Sequence, residues 1–198
     1  MEKDVSTHRK PRLTPEEYLE IERKAEMKSE YIDGEMFAMS GVSFEHNTIV
    51  TNLIVEMGNQ FEGRPCHVNA LDLRVKVSAT GMYAYPDVIA FCGKPELEDK
   101  HLDTLLNPQV IIEVLSESTE AYDRGKKFAH YKTIGTLREY ILISQTEYRV
   151  EKFSRRDNGA WDYTDYTDPR SSVELTSVAC RLVLSRVYRN VEFEPTAS

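Results

Sequence analysis

The chain has 198 residues, 40% hydrophobic and 29% charged, which suits one domain with a sizeable core and is ordinary for a soluble globular protein. Its formal net charge of −8 argues against a broad basic face for nucleic acid, although a local cationic groove stays open because acidic clusters elsewhere can dominate the sum. No apolar run approaches the roughly 18 residues of a membrane span, and the first ten residues lack the apolar stretch of a secretory signal.

Residues 1–12 are expected to be flexible. Thr14-Pro15-Glu16-Glu17 starts a helix, with Thr as N-cap, Pro at the first position and Glu at the third. Tyr18, Leu19, Ile21 and Ala25 carry its stripe to about Lys28. Residues 31–39 read as a hairpin turning at Asp33-Gly34. Ser43 caps a second helix carrying Ile49, Leu53, Ile54 and Met57 and ending before Gly63. Strands are expected over 66–69 and 71–77, the latter alternating Leu71, Leu73, Val75 and Val77 with polar residues. A further strand follows Tyr85-Pro86-Asp87. Residues 93–107 form a polar connection, weakly structured and available to a partner. Val110-Ile111-Ile112-Glu113-Val114-Leu115 reads as a buried strand. Ser116-Glu117-Ser118-Thr119 caps a helix over about 120–134, which Gly135 ends. Strands over 139–144 and 147–153, a turn at 156–159, a returning strand over 161–166 and short strands to about 187 complete the chain, with 192–198 frayed. Cys66, Cys92 and Cys180 are far apart, show no metal-type or redox spacing, and read as reduced thiols in a cytoplasm. The whole is a single mixed α/β domain, residues 1–198, with helices on the faces of a mixed sheet.

Glu113 needs a physical explanation, because burying an unpaired carboxylate costs several kcal/mol, of order, unless a cation, a metal or dense hydrogen bonding holds it. Asp87 stands at the mouth of another apolar strand. Two acids from two core strands are the pair that Mg2+ or Mn2+ requires, since such ions take hard oxygen ligands and keep several waters. Either acid alone could instead salt an arginine or cap a turn. In the helix after Glu113, Asp123, Lys127 and Tyr131 recur every four residues and share one stripe. Lys127 could reach back to the carboxylates and neutralise charge in a phosphoryl transition state. Lys126 takes that part if the helix is rotated. Glu35, after the tight turn, and His46, in the first turn of the second helix, could point at the same cleft. HExxH, GxSxG and phosphate-loop patterns are absent from the sequence.

These residues in this order resemble the Uma-type family of restriction endonucleases, members of the PD-(D/E)XK nuclease superfamily. The resemblance rests on Thr14-Pro15-Glu16-Glu17-Tyr18, Ile32-Asp33-Gly34-Glu35, His46, Pro86-Asp87, Glu113-Val114-Leu115-Ser116, Asp123 with Lys127 and Tyr131, and Gly135 followed by Glu139-Tyr140. It implies a restriction-endonuclease-like mixed β-sheet flanked by helices, with Asp87 and Glu113 as the metal-binding acids. The superfamily's lysine two residues past the second acid is Leu115 here, and the family's lysine from the following helix carries over to Lys127. Ser144 stands where the family commonly has an acid. The implied activity is Mg2+-dependent hydrolysis of DNA phosphodiester bonds by Asp87, Glu113, Lys127, Glu35 and His46, in a cytoplasmic homodimer. Two other readings fit the same residues: a catalytically inactive binding module of the same fold, and a metal-dependent phosphodiesterase acting on small nucleotides.

Overall fold

The computed structural model describes residues 12–39, 41–70 and 72–193. Most of the two ends expected to be flexible, and Leu71, expected at the head of a strand, lie outside the described residues. Within them the ends are anchored. Leu13 N donates to Gly34 O at 2.9 Å, and the Phe193 ring packs edge-on against Tyr148 and Tyr188. Fraying from residue 192 is therefore not what the fold shows at Phe193. Among the described residues, no helix is long and apolar enough to cross a membrane.

Helix α1 (Pro15–Glu22) opens with the expected capping box: Thr14 Oγ1 accepts from Glu17 N, and Glu17 Oε2 accepts from Thr14 N. It stops well short of Lys28. Both oxygens of the Glu22 carboxylate accept from Ser29 N, at 3.0 and 3.1 Å. That bond turns the chain back into β1 (Ser29–Ile32) and leaves Ile21 45% exposed. β1 pairs with β2 (Glu35–Ala38) across the expected turn, where Asp33 and Gly34 both have positive φ (51° and 86°). Glycine is required there twice over, because a Cβ at Gly34 would lie 2.6 Å from that of Arg12.

Helix α2 (Phe44–Phe61) is capped by Ser43 Oγ, which accepts from His46 N at 3.0 Å. Strands β3 (Cys66–Ala70), β4 (Arg74–Val77), β5 (Met82–Ala84), β6 (Val88–Cys92), β7 (Thr104–Leu105) and β8 (Val110–Leu115) follow. The expected helix over 120–134 is broken into α3 (Glu120–Tyr122), a π-helical turn (Asp123–Lys127) and α4 (Phe128–Tyr131). It starts at Thr119 without a side-chain cap and ends before Gly135. Strands β9 (Glu139–Ser144), β10 (Val150–Arg155), β11 (Trp161–Tyr166), β12 (Ser172–Leu175) and β13 (Cys180–Val183) precede α5 (Leu184–Val187).

The mixed α/β architecture is as expected, but the strands are shared between two main sheets and a β12–β13 ribbon. The larger sheet has the order β11-β10-β9-β8-β6-β3, antiparallel except for the β8–β9 pair. The smaller has the order β2-β1-β5-β4-β7, with β4 and β7 parallel. The chain passes from the small sheet to the large one between β5 and β6, at Tyr85-Pro86-Asp87. Side chains alternate across a strand, so β8 sends Val110, Ile112 and Val114 toward α2 and the β12–β13 ribbon, and Ile111 and Leu115 toward the small sheet and α4. Glu113 shares the parity of the second set.

Two further expectations fail. Segment 93–107 is not a loose connection: it holds β7, and Asp103 binds Arg23 Nε (2.9 Å) and Arg74 Nη2 (2.5 Å), while Asp99 binds Arg23 Nη2 (2.8 Å). Nor are all the thiols reduced. The β3–β6 register sets Cys66 opposite Cys92, and the two form a disulfide across the strands. Only Cys180 is free; it is buried, and burial pushes its thiol up to about 11. Alkylation of the unreduced, denatured protein should label Cys180 alone, and mass spectrometry showing three labelled cysteines would contradict the cross-strand bond.

Hydrogen bonds from Arg23, then from Arg74, hold the Asp103 carboxyl well below the ordinary carboxylate range. A depressed folded-state pKa stabilises the fold above the unfolded value of about 3.9 and is lost as pH falls through the folded value. Asp103→Asn should therefore lower the urea midpoint at neutral pH, with the gap from the parent closing below about pH 4. A gap that does not change with pH would show that Asp103 carries no such linkage.

Candidate active site

Continuing the antiparallel β6–β8 register, in which Val88 faces Ile112, sets Asp87 opposite Glu113. The two are interlocked through the backbone. Asp87 Oδ2 accepts from Val114 N at 2.7 Å, and Glu113 Oε2 lies 3.4 Å from Asp87 N. Glu113 is only 3% exposed. Its Oε1 takes Lys127 Nζ at 3.0 Å and the Tyr131 hydroxyl at 3.1 Å. His46, from the first turn of α2, brings Nε2 to 3.2 Å from Asp87 Oδ2. Among the described residues, neither acid is locked to an arginine. The oxygens left over are Asp87 Oδ1, which accepts no hydrogen bond among the described residues, and Glu113 Oε2, with its one long contact.

The question of which lysine faces the acids is settled by burial: Lys127 is buried and Lys126 exposed. The Lys127 ammonium touches three carboxylates, reaching Glu30 Oε1 at 2.9 Å and Asp123 Oδ1 at 3.5 Å besides Glu113. It lies in the π turn, a distortion frequent at functional sites. Glu35 lines the same cavity but is exposed, and the structure gives it no bond to the two acids. Its neighbour in the hairpin is the participant that sequence reading missed. Glu30 is buried on β1, where it accepts from Tyr85 N at 3.3 Å as well as from Lys127. The signal is its place two residues before Ile32, on the face of β1 that Glu35 also occupies, just ahead of the hairpin's expected start at residue 31. Asp123, expected on the helix stripe, also joins this cluster through Lys127.

Four carboxylates thus surround one ammonium and one imidazole in a site largely closed to water. Burial raises the Glu113 carboxyl well above its ordinary range; Lys127 opposes this, and Asp123, Asp87 and Glu30 add to it. Burial also raises Asp123, against Lys127 and Thr119. Lys127 works the other way: burial lowers it, but Glu113 and the other anions around it more than compensate and keep it charged. The spare oxygens of Asp87 and Glu113 are hard donors, and a cation between them would favour the ionised form of a carboxyl that burial otherwise disfavours. Among the described residues, no three His, Cys, Asp or Glu side chains form a closed metal cage. Two carboxylates with positions left for water and phosphate are what Mg2+ accepts, so the donor set fits that ion.

A profile of the Uma2 family, described as "Putative restriction endonuclease", matches residues 15–185. The chain belongs to the Uma2 family. Two proteins of Synechocystis sp. (strain ATCC 27184 / PCC 6803 / Kazusa), both described as uncharacterized, are each 34% identical to it. One match runs over 183 residues, 92% of this chain and 95% of the relative; the other over 164 residues, 83% and 93%. The crystal structure of a protein described as a putative nuclease, from Anabaena variabilis ATCC 29413, matches 89% of this chain and 97% of its own with a TM-score of 0.74. At 19% identity that likeness shows a shared fold, the restriction-endonuclease-like arrangement expected from the sequence. The Uma2 match begins at the first residue of α1 and ends inside α5, so every charged residue named at the site lies within it.

Removing the one ammonium would leave the carboxylates facing each other. Lys127→Met should cost about 3–5 kcal/mol, the usual loss when one partner of a buried ion pair is removed. Glu113→Gln removes repulsion and should leave the melting temperature unchanged or higher. Thermal denaturation in a chelating buffer checks both. A Lys127→Met protein as stable as the parent would mean that the ammonium does not hold the acids together.

Proposed function

We propose that this Uma2-family protein is a Mg2+- or Mn2+-dependent DNA endonuclease that hydrolyses phosphodiester bonds. The observation that carries the reading is the cross-strand meeting of Asp87 and Glu113, with Lys127 Nζ 3.0 Å from Glu113. Family membership and the shared nuclease fold support it. Asp87 and Glu113 would hold the ion through their spare oxygens, Oδ1 and Oε2. Bound there, the ion supplies Lewis acidity toward a phosphoryl oxygen and lowers the pKa of a coordinated water.

The chain's own residues do the rest. Lys127, kept charged by Glu113, Glu30 and Asp123, is a fixed cation that offsets negative charge developing on the phosphate. Glu30 and Asp123 position that ammonium. The His46 imidazole anchors Asp87 through Nε2, while its buried Nδ1 has no partner among the described residues. Glu35, at the exposed rim, is placed to meet solvent or substrate entering the cavity. A homodimer, presenting two such sites along DNA, completes the proposal.

A chain that used the fold only for binding would share the architecture without needing the ion. Mn2+ titration calorimetry separates the two: the nuclease reading expects one site per chain, lost in Asp87→Ala and in Glu113→Ala. The same variants should abolish Mn2+-dependent cleavage of DNA while keeping the far-ultraviolet circular dichroism of the parent. Undiminished cleavage by either variant would refute the assignment.

A further inference from the structure

The two acids stand at the floor of a cavity of about 630 Å3. Its floor is polar, but one wall is not. Cross-strand partners in a hairpin put their side chains on the same face, and β1–β2 pairs Glu30 with Phe37. Glu30 faces the Lys127 ammonium, so Phe37 stands on that same face, beside the acids. It lines the cavity and is nevertheless 49% exposed. Met39 and Val42 extend the apolar lining, and Phe44, 76% exposed, opens α2 next to it. Large apolar side chains left in water around an acidic recess point to a flat apolar ligand surface.

Charge narrows the class of that ligand. The cavity lining carries six carboxylates (Glu30, Asp33, Glu35, Asp87, Glu113 and Asp123) against three cations, Arg12, Lys126 and Lys127. The whole chain is at −8. Duplex binding draws most of its affinity from many Lys or Arg side chains along the phosphate backbone, which this rim does not provide. A phosphate held in a stacked duplex would also have to descend past the rim to a carboxylate that is 3% exposed. An unpaired strand bends into such a recess, and its bases are free to stack on an aromatic face, a gain closed to a duplex whose bases already stack on one another.

We infer that the site takes its phosphodiester from an unpaired nucleic-acid strand, with a base next to the target phosphate stacked on Phe37. This rests on the nuclease reading of Asp87 and Glu113 and names the substrate form for it. Phe37 is a specificity-determining residue in this scheme.

The test measures fluorescence anisotropy of a labelled short single strand and of the same sequence as a duplex, in Ca2+, with cleavage of both followed separately in Mn2+. The single strand should bind more tightly than the duplex. Phe37→Ala should weaken single-strand binding roughly ten- to hundredfold, the range for loss of one base–aromatic stack. Phe37→Trp should restore it, and both variants should leave Mn2+ binding unchanged. Equal or tighter duplex binding, binding of neither probe, or a Phe37→Ala protein indistinguishable from the parent would overturn the inference. Duplex cleavage with no effect at Phe37 would do so while leaving the nuclease reading intact. Stacking at Phe37 without cleavage of either probe would instead uphold the binding mode and sink the nuclease.

Discussion

A single ammonium, that of Lys127, lies within 3.5 Å of three buried carboxylates, and the centre of this molecule is organised around that contact. Glu30, Glu113 and Asp123 come from a strand of the small sheet, a core strand of the large sheet and a helix, so the lysine ties three separate parts of the chain together. Buried ion pairs contribute little net stability because desolvation consumes most of the attraction. Their effect here is geometric. The acids cannot relax away from one another without abandoning the lysine, which fixes their spacing.

The two-sheet arrangement makes that meeting possible. Tyr85-Pro86-Asp87 is the segment where the chain leaves one sheet for the other, which places Asp87 beyond the end of a hydrogen-bonded strand rather than within it. There it can bond Val114 N and His46 together, a combination that a residue inside the ladder could not reach. Glu113, in contrast, sits in a continuous strand whose neighbours are apolar on both faces. One acid is held by the exposed end of a sheet and the other by its core, and their different surroundings suit a site in which one carboxylate meets solvent and the other stays dry. The Uma2 match spans both sheets and the helix carrying Lys127.

The cavity joins opposed surfaces, an acidic floor and a partly apolar wall from the β1–β2 hairpin. The overall negative charge, which weighs against a broad duplex-binding face, is compatible with the proposed recognition of one phosphate through a cation and one base through a ring. Charge and shape thus point to the same restriction on what can enter.

Much of this was legible in the sequence because its determinants are local. The Thr14–Glu17 capping box, the Asp33-Gly34 turn, the Ser43 cap and the apolar run around Glu113 each depend on residues within a few positions of one another. Asp87, Glu113, Lys127 and His46 could be singled out because a charged or polar group in an apolar context, or at helical spacing, is visible without coordinates. Strand register and sheet membership are not local, and only the tertiary structure decided them. Cys66 and Cys92 are 26 residues apart and meet only because β3 and β6 pair in one register. The Arg23–Asp103 bond joins α1 to a segment that looks like a loop in sequence. Glu30 became a site residue through a strand that starts earlier than its pattern suggests, and only packing shows that Lys127, the lysine expected from the helix stripe, is buried against the acids while Lys126 stays exposed. A chain specifies its own periodicities and caps at short range. Which faces then come together depends on how whole sheets pack, a balance of burial and charge summed over the molecule.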